Sequence, residues 1–345
     1  MKNGISSIVH AGKRSYRRGM KAAVLHQIGA VPRYEDFPDP FPNEGEVTIR
    51  VGAVALDYAV KMLASGAHFA TPQFYPSLPA IVGRSGIGFL DDGTVVSFPN
   101  TVFPYGSFAE RVVVPRGLVT PLPPGIDPFQ AAVVPSAAQS SLLPLRYKAR
   151  LQPGETVLVN GATSVSGILA VTIAKRLGAG RVVATGRHRA SADKVMEAGA
   201  DAFISLDQSD GELAQAFVRE GRDGYDVVVD YLWGHPTEVL FSTFVPNAIG
   251  FARRRTRHLV IGGLAGGTLQ LPAQALITSG LEIHGFGMTN TPENLKDRAE
   301  GVAQVWDLLG RGELSLEVVR VPLSEIEEAW TREEHGRRIV VVPQG

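Results

Sequence analysis

The chain has 345 residues, with 34 lysines and arginines against 34 aspartates and glutamates, so its formal net charge is zero. This balance argues against a general binder of nucleic acid or of anionic membranes, because both surfaces require an excess of positive charge. Cysteine is absent, which rules out disulfides, a thiol nucleophile, an iron–sulfur cluster and a thiolate zinc site.

The first 19 residues are basic near their end but lack the apolar core of a secretory signal. No later apolar run is long enough to span a bilayer. We therefore expect residues 1–19 to form a flexible leader before a first strand at Met20, and the protein to be cytoplasmic. A targeting peptide or a start codon assigned too early are the alternatives for this leader.

From Lys21 to about Pro123, short β-branched or aromatic runs alternate with glycine, proline and aspartate. The clearest are Glu46 to Val51, Thr94 to Phe98 and Phe108 to Val114. This spacing predicts a barrel-like β domain. Asp127 and Pro128 then predict a helix start, and we expect Pro135 to interrupt that helix.

After Gly154, strand-like and helical runs alternate, which predicts an α/β domain with a doubly wound, six-stranded parallel sheet. The predicted strands are Thr156 to Asn160, Arg181 to Thr185, Ala202 to Ser205, Asp226 to Asp230, His258 to Gly262 and Leu281 to Phe286. Three of the intervening helices are predicted to start near Ser191, Asp210 and Thr237. A last helix, Glu293 to Gly310, and two β runs should return to the first domain. The predicted domains are 20–139 with 291–345, and 140–290.

The first of these strands leads through a turn of small residues into a helix, which is the phosphate-binding geometry of dinucleotide folds. The predicted cofactor contacts are Asn160, Gly161, Ala162, Thr163, Ser164, Val165, Ser166 and Gly167. The strict G-x-G-x-x-G is not present, since Ala162, Ser164 and Gly167 occupy its three positions. An ordinary tight βα turn is the alternative, but the position of this turn within a predicted six-stranded sheet favours cofactor binding.

The end of the second strand favours NADPH over NADH. An acidic residue there would bind the ribose 2'-hydroxyl of NAD, whereas this chain has Gly186-Arg187-His188-Arg189. Arg187 and Arg189 are suited to a charge-assisted contact with a 2'-phosphate. Alternatively, both arginines are simply solvated.

Several segments, in this order, resemble the medium-chain dehydrogenase/reductase superfamily and its zinc-free quinone-oxidoreductase-like branch. They are Lys21-Ala22-Ala23, Pro79 to Gly88, Gly106 to Glu110 with Val114-Pro115, and the cofactor turn. The resemblance implies a GroES-like barrel, completed by the C-terminal segment, that packs against a Rossmann domain with the active site in the cleft. It also implies NADPH as cofactor and a small quinone or activated alkene as substrate.

The resemblance further implies that no metal is bound. By position, Asp57 and Arg84-Ser85 look like the cysteine and the histidine–glutamate pair that serve the catalytic zinc in zinc-dependent relatives. A guanidinium cannot ligate zinc as an imidazole does. Zinc-free relatives usually carry asparagine where Asp57 stands, and a glycine pair where Ser164-Val165 stands, so this chain departs from their pattern twice.

The same resemblance suggests the remaining site residues. Asp57, Tyr58 and Lys61 are the catalytic candidates: Tyr58 as a proton donor in competition with water, and Asp57 as an ionised group that orients the substrate or relays a proton. Lys61, which is close to Asp57 in sequence, is a candidate for the cation that would pair with this carboxylate. Asp57 and Tyr58 could instead be purely structural. Near the nicotinamide, the resemblance places Ser140, Ser141, Gly262, Gly263, Phe286, Gly287 and Met288.

Three functions remain in competition. The leading hypothesis is an NADPH-dependent quinone or enone reductase. A zinc-free carbonyl or enoyl-thioester reductase is the second, and a catalytically silent NADPH-binding sensor or interaction protein is the third. The strand Leu281 to Phe286 could be a sheet edge that pairs with a second copy, so we expect a homodimer.

Overall fold

The computed structural model describes residues 19–187, 191–245, 255–287 and 292–343. All but the last residue of the predicted leader therefore lies outside the described residues. The strands are β1 Met20–Leu25, β2 Arg33–Phe37, β3 Glu46–Ala55, β4 Ala80–Ile81, β5 Gly86–Phe89, β6 Val95–Phe98, β7 Arg111–Pro115, β8 Thr120–Pro121, β9 Thr156–Asn160, β10 Arg181–Gly186, β11 Ala202–Ser205, β12 Val227–Asp230, β13 Arg257–Val260, β14 Glu282–Gly285, β15 Glu317–Pro322 and β16 Arg337–Val342. The α-helices are α1 Tyr58–Ser65, α2 Thr71–Phe74, α3 Pro128–Leu143, α4 Val165–Arg176, α5 Ala192–Glu197, α6 Asp210–Gly221, α7 Gly234–Ser242, α8 Ala273–Ser279, α9 Pro292–Gly310 and α10 Ile326–Thr331.

Six strands form a parallel sheet in the order β11-β10-β9-β12-β13-β14, which confirms the predicted doubly wound architecture. Its central strands are continuous apolar runs because both of their faces are buried, as Val157, Leu158 and Val159 show with no exposed surface. The strand order reverses between β9 and β12. In such sheets, ligands bind beside the carboxyl ends of the strands at this reversal.

The first domain consists of two mainly antiparallel sheets, in which β15 and β16 are a parallel pair. One has the order β2-β1-β4, and the other runs β15-β16-β3-β5-β6-β8 with β7 also paired to β3. The C-terminal strand β16 pairs antiparallel with β3, so the end of the chain returns to this domain as predicted. Val321, Ile339 and Val341 accordingly lie in the same buried cluster as Ile49 and Val51. The exact boundaries between the domains remain a prediction.

The predicted interruption at Pro135 is wrong, because helix α3 runs through this residue without a break. Asp127 does cap its start, as its carboxylate accepts a hydrogen bond from the backbone N–H of Phe129 at 2.8 Å. A proline removes one helical hydrogen bond. Here tertiary packing overrides that local cost, since α3 lies against α4, α9 and β3 and buries Val133 and Val134.

Two other helix starts also differ from the prediction. Ser209, not Asp210, caps α6, because its hydroxyl and the Glu212 side chain satisfy each other's backbone N–H groups in a capping box. Helix α7 begins at Gly234, so Thr237 lies inside it, and its hydroxyl binds Asp230 instead. Within the described residues, none of the helices is both long and apolar enough to cross a membrane.

Candidate active site

A cleft of about 2000 Å³ brings together most of the predicted site residues. It lies between α1 of the antiparallel domain and the carboxyl ends of the parallel strands. The predicted residues that line it are Asp57, Tyr58, Ser140, Gly161, Thr163, Ser164, Val165, Ser166, Gly186, Arg187, Gly262, Gly263, Phe286 and Gly287. The predicted residues that the structure describes but that do not line the cleft are Lys61, Ser141, Asn160, Ala162 and Gly167. Arg189 and Met288 lie outside the described residues.

The turn after β9 ends at the N-terminus of α4, which is suited to bind an anion. Ser164 is the N-cap, and its hydroxyl accepts a hydrogen bond from the backbone N–H of Gly167 at 3.1 Å. Helix geometry leaves the N–H groups of Val165 and Ser166 without acceptors inside the helix. These two donors and the positive end of the helix dipole can stabilise a phosphate in the cleft.

Close backbone packing explains the glycines of this region. A Cβ atom at Gly167 would lie 2.4 Å from the carbonyl oxygen of Gly161 and 2.6 Å from Cα of Ala162. Gly161 has a φ of 89°, a region that L-residues rarely adopt. Gly167 is buried and contributes by letting α4 approach the turn, not by lining the cleft.

A network of buried polar side chains lies directly behind the turn. The hydroxyl of Thr185 donates to Asn160 at 2.8 Å and accepts from the backbone N–H of Gly161 at 3.0 Å. The amide of Asn160 donates to Asp230 at 3.0 Å. Thr237 donates to the same carboxylate at 2.6 Å. Asn160 therefore holds the turn in place, and it is buried away from the cleft.

Asp230 is the centre of this network and is fully buried. Burial by itself would raise the pKa of Asp230, but the hydrogen bond and charge of His258, together with Thr237 and the backbone N–H of Trp233, lower it overall. The His258 Nε2 atom lies 3.0 Å from the carboxylate. The sequence signal that could have revealed this network is the polar residue at or near the end of each of three buried strands, Asn160, Thr185 and Asp230.

The predicted pair Ser140 and Ser141 divides between two environments. Ser140 lines the cleft and donates to the carbonyl of Ala137 at 2.7 Å. Ser141 is buried and lies 2.7 Å from the hydroxyl of Tyr231. Tyr231, which the sequence did not single out, lines the cleft, and burial raises its pKa to about 12. Tyr231 is therefore a neutral hydrogen-bonding group at neutral pH.

Arg187 directly follows Gly186, the last residue of β10, and its side chain is exposed at the cleft. This is where a dinucleotide fold places the residue that contacts the adenosine ribose. A Cβ atom at Gly186 would lie 2.3 Å from Cγ2 of Thr163, so the glycine lets β10 approach the turn. The position of Arg187 agrees with its predicted role, which nevertheless remains a prediction.

The structure gives the three catalytic candidates different surroundings. Asp57 caps α1, since its carboxylate accepts from the backbone N–H of Val60 at 2.9 Å. Tyr58 is 57% exposed at the cleft, which argues against packing as its role. Lys61 points elsewhere: its ammonium lies 3.5 Å from the carbonyl oxygen of Arg332, and burial, followed by the charge of Arg338, lowers its pKa.

Arg338 corrects the predicted pairing of Asp57 with Lys61. Its guanidinium donates to the carbonyl of Leu56 at 3.5 Å and lines the cleft from β16. Burial lowers the pKa of Arg338, and the negative charge of Asp57 opposes that shift. Arg338 is thus a cation that the charge of Asp57 stabilises, whereas the ammonium of Lys61 contacts the carbonyl of Arg332.

Arg84 occupies the position that resembles a zinc ligand. Its guanidinium carbon lies 3.7 Å above the ring of Phe74, and it donates to the side-chain carbonyl of Asn100. Among the described residues, no group of three or more histidines, aspartates or glutamates is arranged to hold a metal ion. Arg84 is therefore a cationic side chain that lines the cleft at the position of the zinc ligand.

Known proteins are similar to this chain in both sequence and fold. A family model described as zinc-binding dehydrogenase matches residues 167–304. A probable NADPH-dependent quinone reductase of Emericella nidulans is 27% identical, over 90% of this chain and 96% of that protein. A quinone oxidoreductase of Pseudomonas aeruginosa is 26% identical, over 87% of this chain and 91% of its own length.

A solved structure extends this likeness to three dimensions. The quinone oxidoreductase of Thermus thermophilus, whose structures include a complex with NADPH, is 28% identical and superimposes with a TM-score of 0.75, covering 94% of this chain and all of that one. Its fold matches both the six-stranded parallel sheet and the antiparallel domain described above. The chain belongs to the medium-chain dehydrogenase/reductase superfamily, in its quinone-oxidoreductase-like branch.

Proposed function

We propose that this protein is an NADPH-dependent oxidoreductase that reduces a quinone or an activated alkene without a metal. The observation that carries the proposal is the cleft, which joins the turn before α4 and Arg187 to the open region beside Asp57 and Tyr58. Its volume of about 2000 Å³ exceeds that of a usual small-molecule pocket, about 300 to 1,000 Å³. It therefore has room for a dinucleotide and a substrate together.

The residues present fit NADPH. The N–H groups of Val165 and Ser166 would hold the pyrophosphate, and Arg187 the 2'-phosphate. Gly262 and Gly263, which follow β13, and Phe286 and Gly287, which follow β14, would border the nicotinamide. NADPH supplies a hydride when it is bound.

The chain's own task is to position the reactants and to control the proton. The buried network around Asp230 fixes the turn, so the cofactor site is held in place before any ligand arrives. Tyr58 is exposed to water at the cleft, and water is the proton source that we propose. Arg338 balances the charge of Asp57, so that this carboxylate does not oppose negative charge that develops on the substrate.

The experiment that tests this function is a turnover assay with purified protein, NADPH and a panel of quinones, enones, aldehydes and enoyl thioesters. We expect oxidation of NADPH with quinones or enones, and unchanged rates after exhaustive chelation. Preference for aldehydes or thioesters would favour the second hypothesis. Tight NADPH binding without oxidation across the panel would indicate the silent sensor, and stoichiometric zinc lost together with activity would contradict the metal-free mechanism.

Asp57→Asn should leave quinone reduction within about twofold of wild type or improve it. Asparagine caps a helix as well as aspartate does, and it is the residue that similar zinc-free proteins carry. Asp57→Ala is the contrast, because loss of the cap should cost about 1 kcal/mol of folding stability. Thermal unfolding and kcat for both variants check this. A fall of about 100-fold in kcat with asparagine would make Asp57 a catalytic group.

Tyr58→Phe should lower kcat by less than about tenfold, because water reaches the substrate end of the open cleft. A general acid contributes about 10² to 10⁴ to a rate. Steady-state kinetics, with NADPH affinity as the control for folding, distinguish the two. A loss in the range of a general acid, at unchanged NADPH affinity, would show that the phenol donates the proton.

We also propose a homodimer that forms along β14, because this strand lies at the edge of the parallel sheet. Helix α8, just before it in sequence, exposes 73% of Ile277. Ile277→Asp should yield monomers in light scattering, whereas Val218→Asp, at a residue of α6 that is 59% exposed, should leave the mass unchanged. A monomeric wild-type protein at micromolar concentrations would contradict the proposal.

A further inference from the structure

The residue that joins β12 to α7 has an unusual backbone conformation. Trp233 is the N-cap of α7, and its φ of 53° and ψ of −159° lie beside a region that is essentially restricted to glycine. Gly234, which follows with a φ of 58°, completes a sharp corner. Strained conformations of this kind persist only where surrounding contacts hold them, and they cluster at ligand sites. The contacts of Trp233 therefore indicate what the corner does.

Buried groups hold this corner from two sides. The Asp230 carboxylate accepts hydrogen bonds from the backbone N–H groups of Leu232, at 2.9 Å, and of Trp233, at 3.0 Å. The indole ring makes edge-to-face contacts with the rings of Phe241 and His258, with centroid distances of 6.2 Å and 6.0 Å. His258 also contacts the Asp230 carboxylate, so the carboxylate, the imidazole and the indole support one another. These contacts offset the cost of the strained backbone.

The corner sets the position of the residue before it, Leu232, which lines the cleft. A Cβ atom at Gly161 would lie 2.9 Å from Cδ2 of Leu232, so this side chain packs directly on the first glycine of the cofactor turn. The carbonyl of Leu232 accepts a hydrogen bond from the backbone N–H of Ala265 at 2.8 Å, which joins it to the loop after β13. Trp233 does not line the cleft, so it can act on a ligand only through Leu232 and its neighbours.

We infer that Trp233 is a positioning residue for the cofactor site. Its strained backbone keeps Leu232 against Gly161, so that the turn has its binding conformation before a ligand arrives. A protein in which the binding-competent conformation is less populated binds its ligand more weakly in proportion. The inference rests on the proposed function only in naming NADPH as the ligand of this turn.

Replacing Trp233 by glycine and by alanine separates the role of the backbone from that of the ring. Both variants lose the indole, but glycine adopts this conformation without strain, whereas alanine does not. Strain of this kind disfavours a conformation by about 5- to 150-fold. Trp233→Ala should therefore weaken NADPH binding by at least about fivefold, whereas Trp233→Gly should remain within about threefold of the wild type. The fluorescence of bound NADPH measures both affinities.

A purely structural role of the indole predicts the opposite order. If only its packing mattered, glycine would be the less stable and the weaker binder, because it adds freedom to the unfolded chain. Thermal unfolding without NADPH tests the strain by itself, and we expect a higher Tm for Trp233→Gly than for Trp233→Ala. Trp233→Phe is the conservative variant. It keeps an aromatic ring beside Phe241 and His258, so its NADPH affinity should lie within about threefold of the wild type.

Arg222 is a matched control for backbone strain. It is another residue other than glycine with a positive φ, 52°, but it is exposed at the end of α6 and does not line the cleft. Arg222→Gly should also have a higher Tm than Arg222→Ala, because the same strain is relieved. Both of these variants should bind NADPH like the wild type.

Leu232→Ala tests the contact through which Trp233 acts, and it serves if Trp233→Ala does not fold. The corner stays intact in this variant, but the side chain that supports Gly161 is lost. NADPH affinity should fall by at least about fivefold, because the turn relaxes into the space left behind. Wild-type affinity in a folded Leu232→Ala protein would overturn the inference.

Binding and turnover distinguish this inference from the proposed function. If the wild type binds NADPH but reduces no substrate, the proposed function fails, and the expected order of the two Trp233 variants still supports the inference. Equal NADPH affinities of Trp233→Gly and Trp233→Ala, or a weaker affinity of the glycine variant, would overturn the inference even if quinones are reduced. A wild-type protein that does not bind NADPH would overturn both.

Discussion

Gly167→Val should weaken NADPH binding by at least about 100-fold, corresponding to the upper end, about 3 kcal/mol, of what overpacking costs. The first added carbon would lie 2.4 Å from the carbonyl oxygen of Gly161, a contact that only a backbone shift can relieve. That shift moves the turn away from the start of α4 and separates the N–H groups that would hold the pyrophosphate. Fluorescence titration with NADPH measures the effect, and Gly167→Ala should show a large part of it.

Gly211→Val controls for the substitution itself. Gly211 also lies in the first turn of a helix, α6, but a Cβ atom there would meet nothing within 4 Å. Its variant should bind NADPH like the wild type. A folded Gly167→Val protein with wild-type affinity would mean that the dinucleotide binds elsewhere.

Arg187→Ala should weaken NADPH by about 10- to 150-fold, because one charge-assisted hydrogen bond contributes about 1.5 to 3 kcal/mol. NADH lacks the 2'-phosphate, so its affinity should change by less than about twofold and is the internal control. Replacing Arg187 and Arg189 together should enlarge the NADPH loss only if both side chains contact the phosphate. Equal losses for the two cofactors would contradict the assignment of NADPH.

The sequence predicted the parallel sheet well because its strands are buried on both faces. A buried strand such as β9 needs a continuous apolar run, and that run is visible without any partner. Helix starts were less reliable, because several residue types can cap. Ser209 and Asp210 are adjacent candidates, and only the return contact from Glu212 decides between them.

In the candidate site, too, the features formed by neighbouring residues could be predicted, and those formed by residues distant in sequence could not. The turn from Gly161 to Gly167 is one continuous segment, so its pattern could be recognised. Arg338, whose pKa the charge of Asp57 affects, could not be recognised in this way, because it lies on β16, 282 positions after Leu56, whose carbonyl it contacts. Lys61 was chosen only because it is close in sequence, and the first turn of α1 directs it toward Arg332 instead.

If a hydride passes from NADPH to a substrate in this cleft, an isotope placed on the cofactor should appear in the product. NADPH that carries deuterium at C4 of the nicotinamide, in each of its two stereochemical forms, would be incubated with the protein and an enone. We expect one form to deliver one deuterium to the carbon β to the ketone, as measured by mass spectrometry, and we expect chelation to change nothing. Hydroquinones do not report on the transfer, because deuterium on their oxygens exchanges with water. Reduction of an enone with no deuterium in the product from either form, or binding of NADPH with no oxidation by any enone or quinone, would contradict hydride transfer in this cleft.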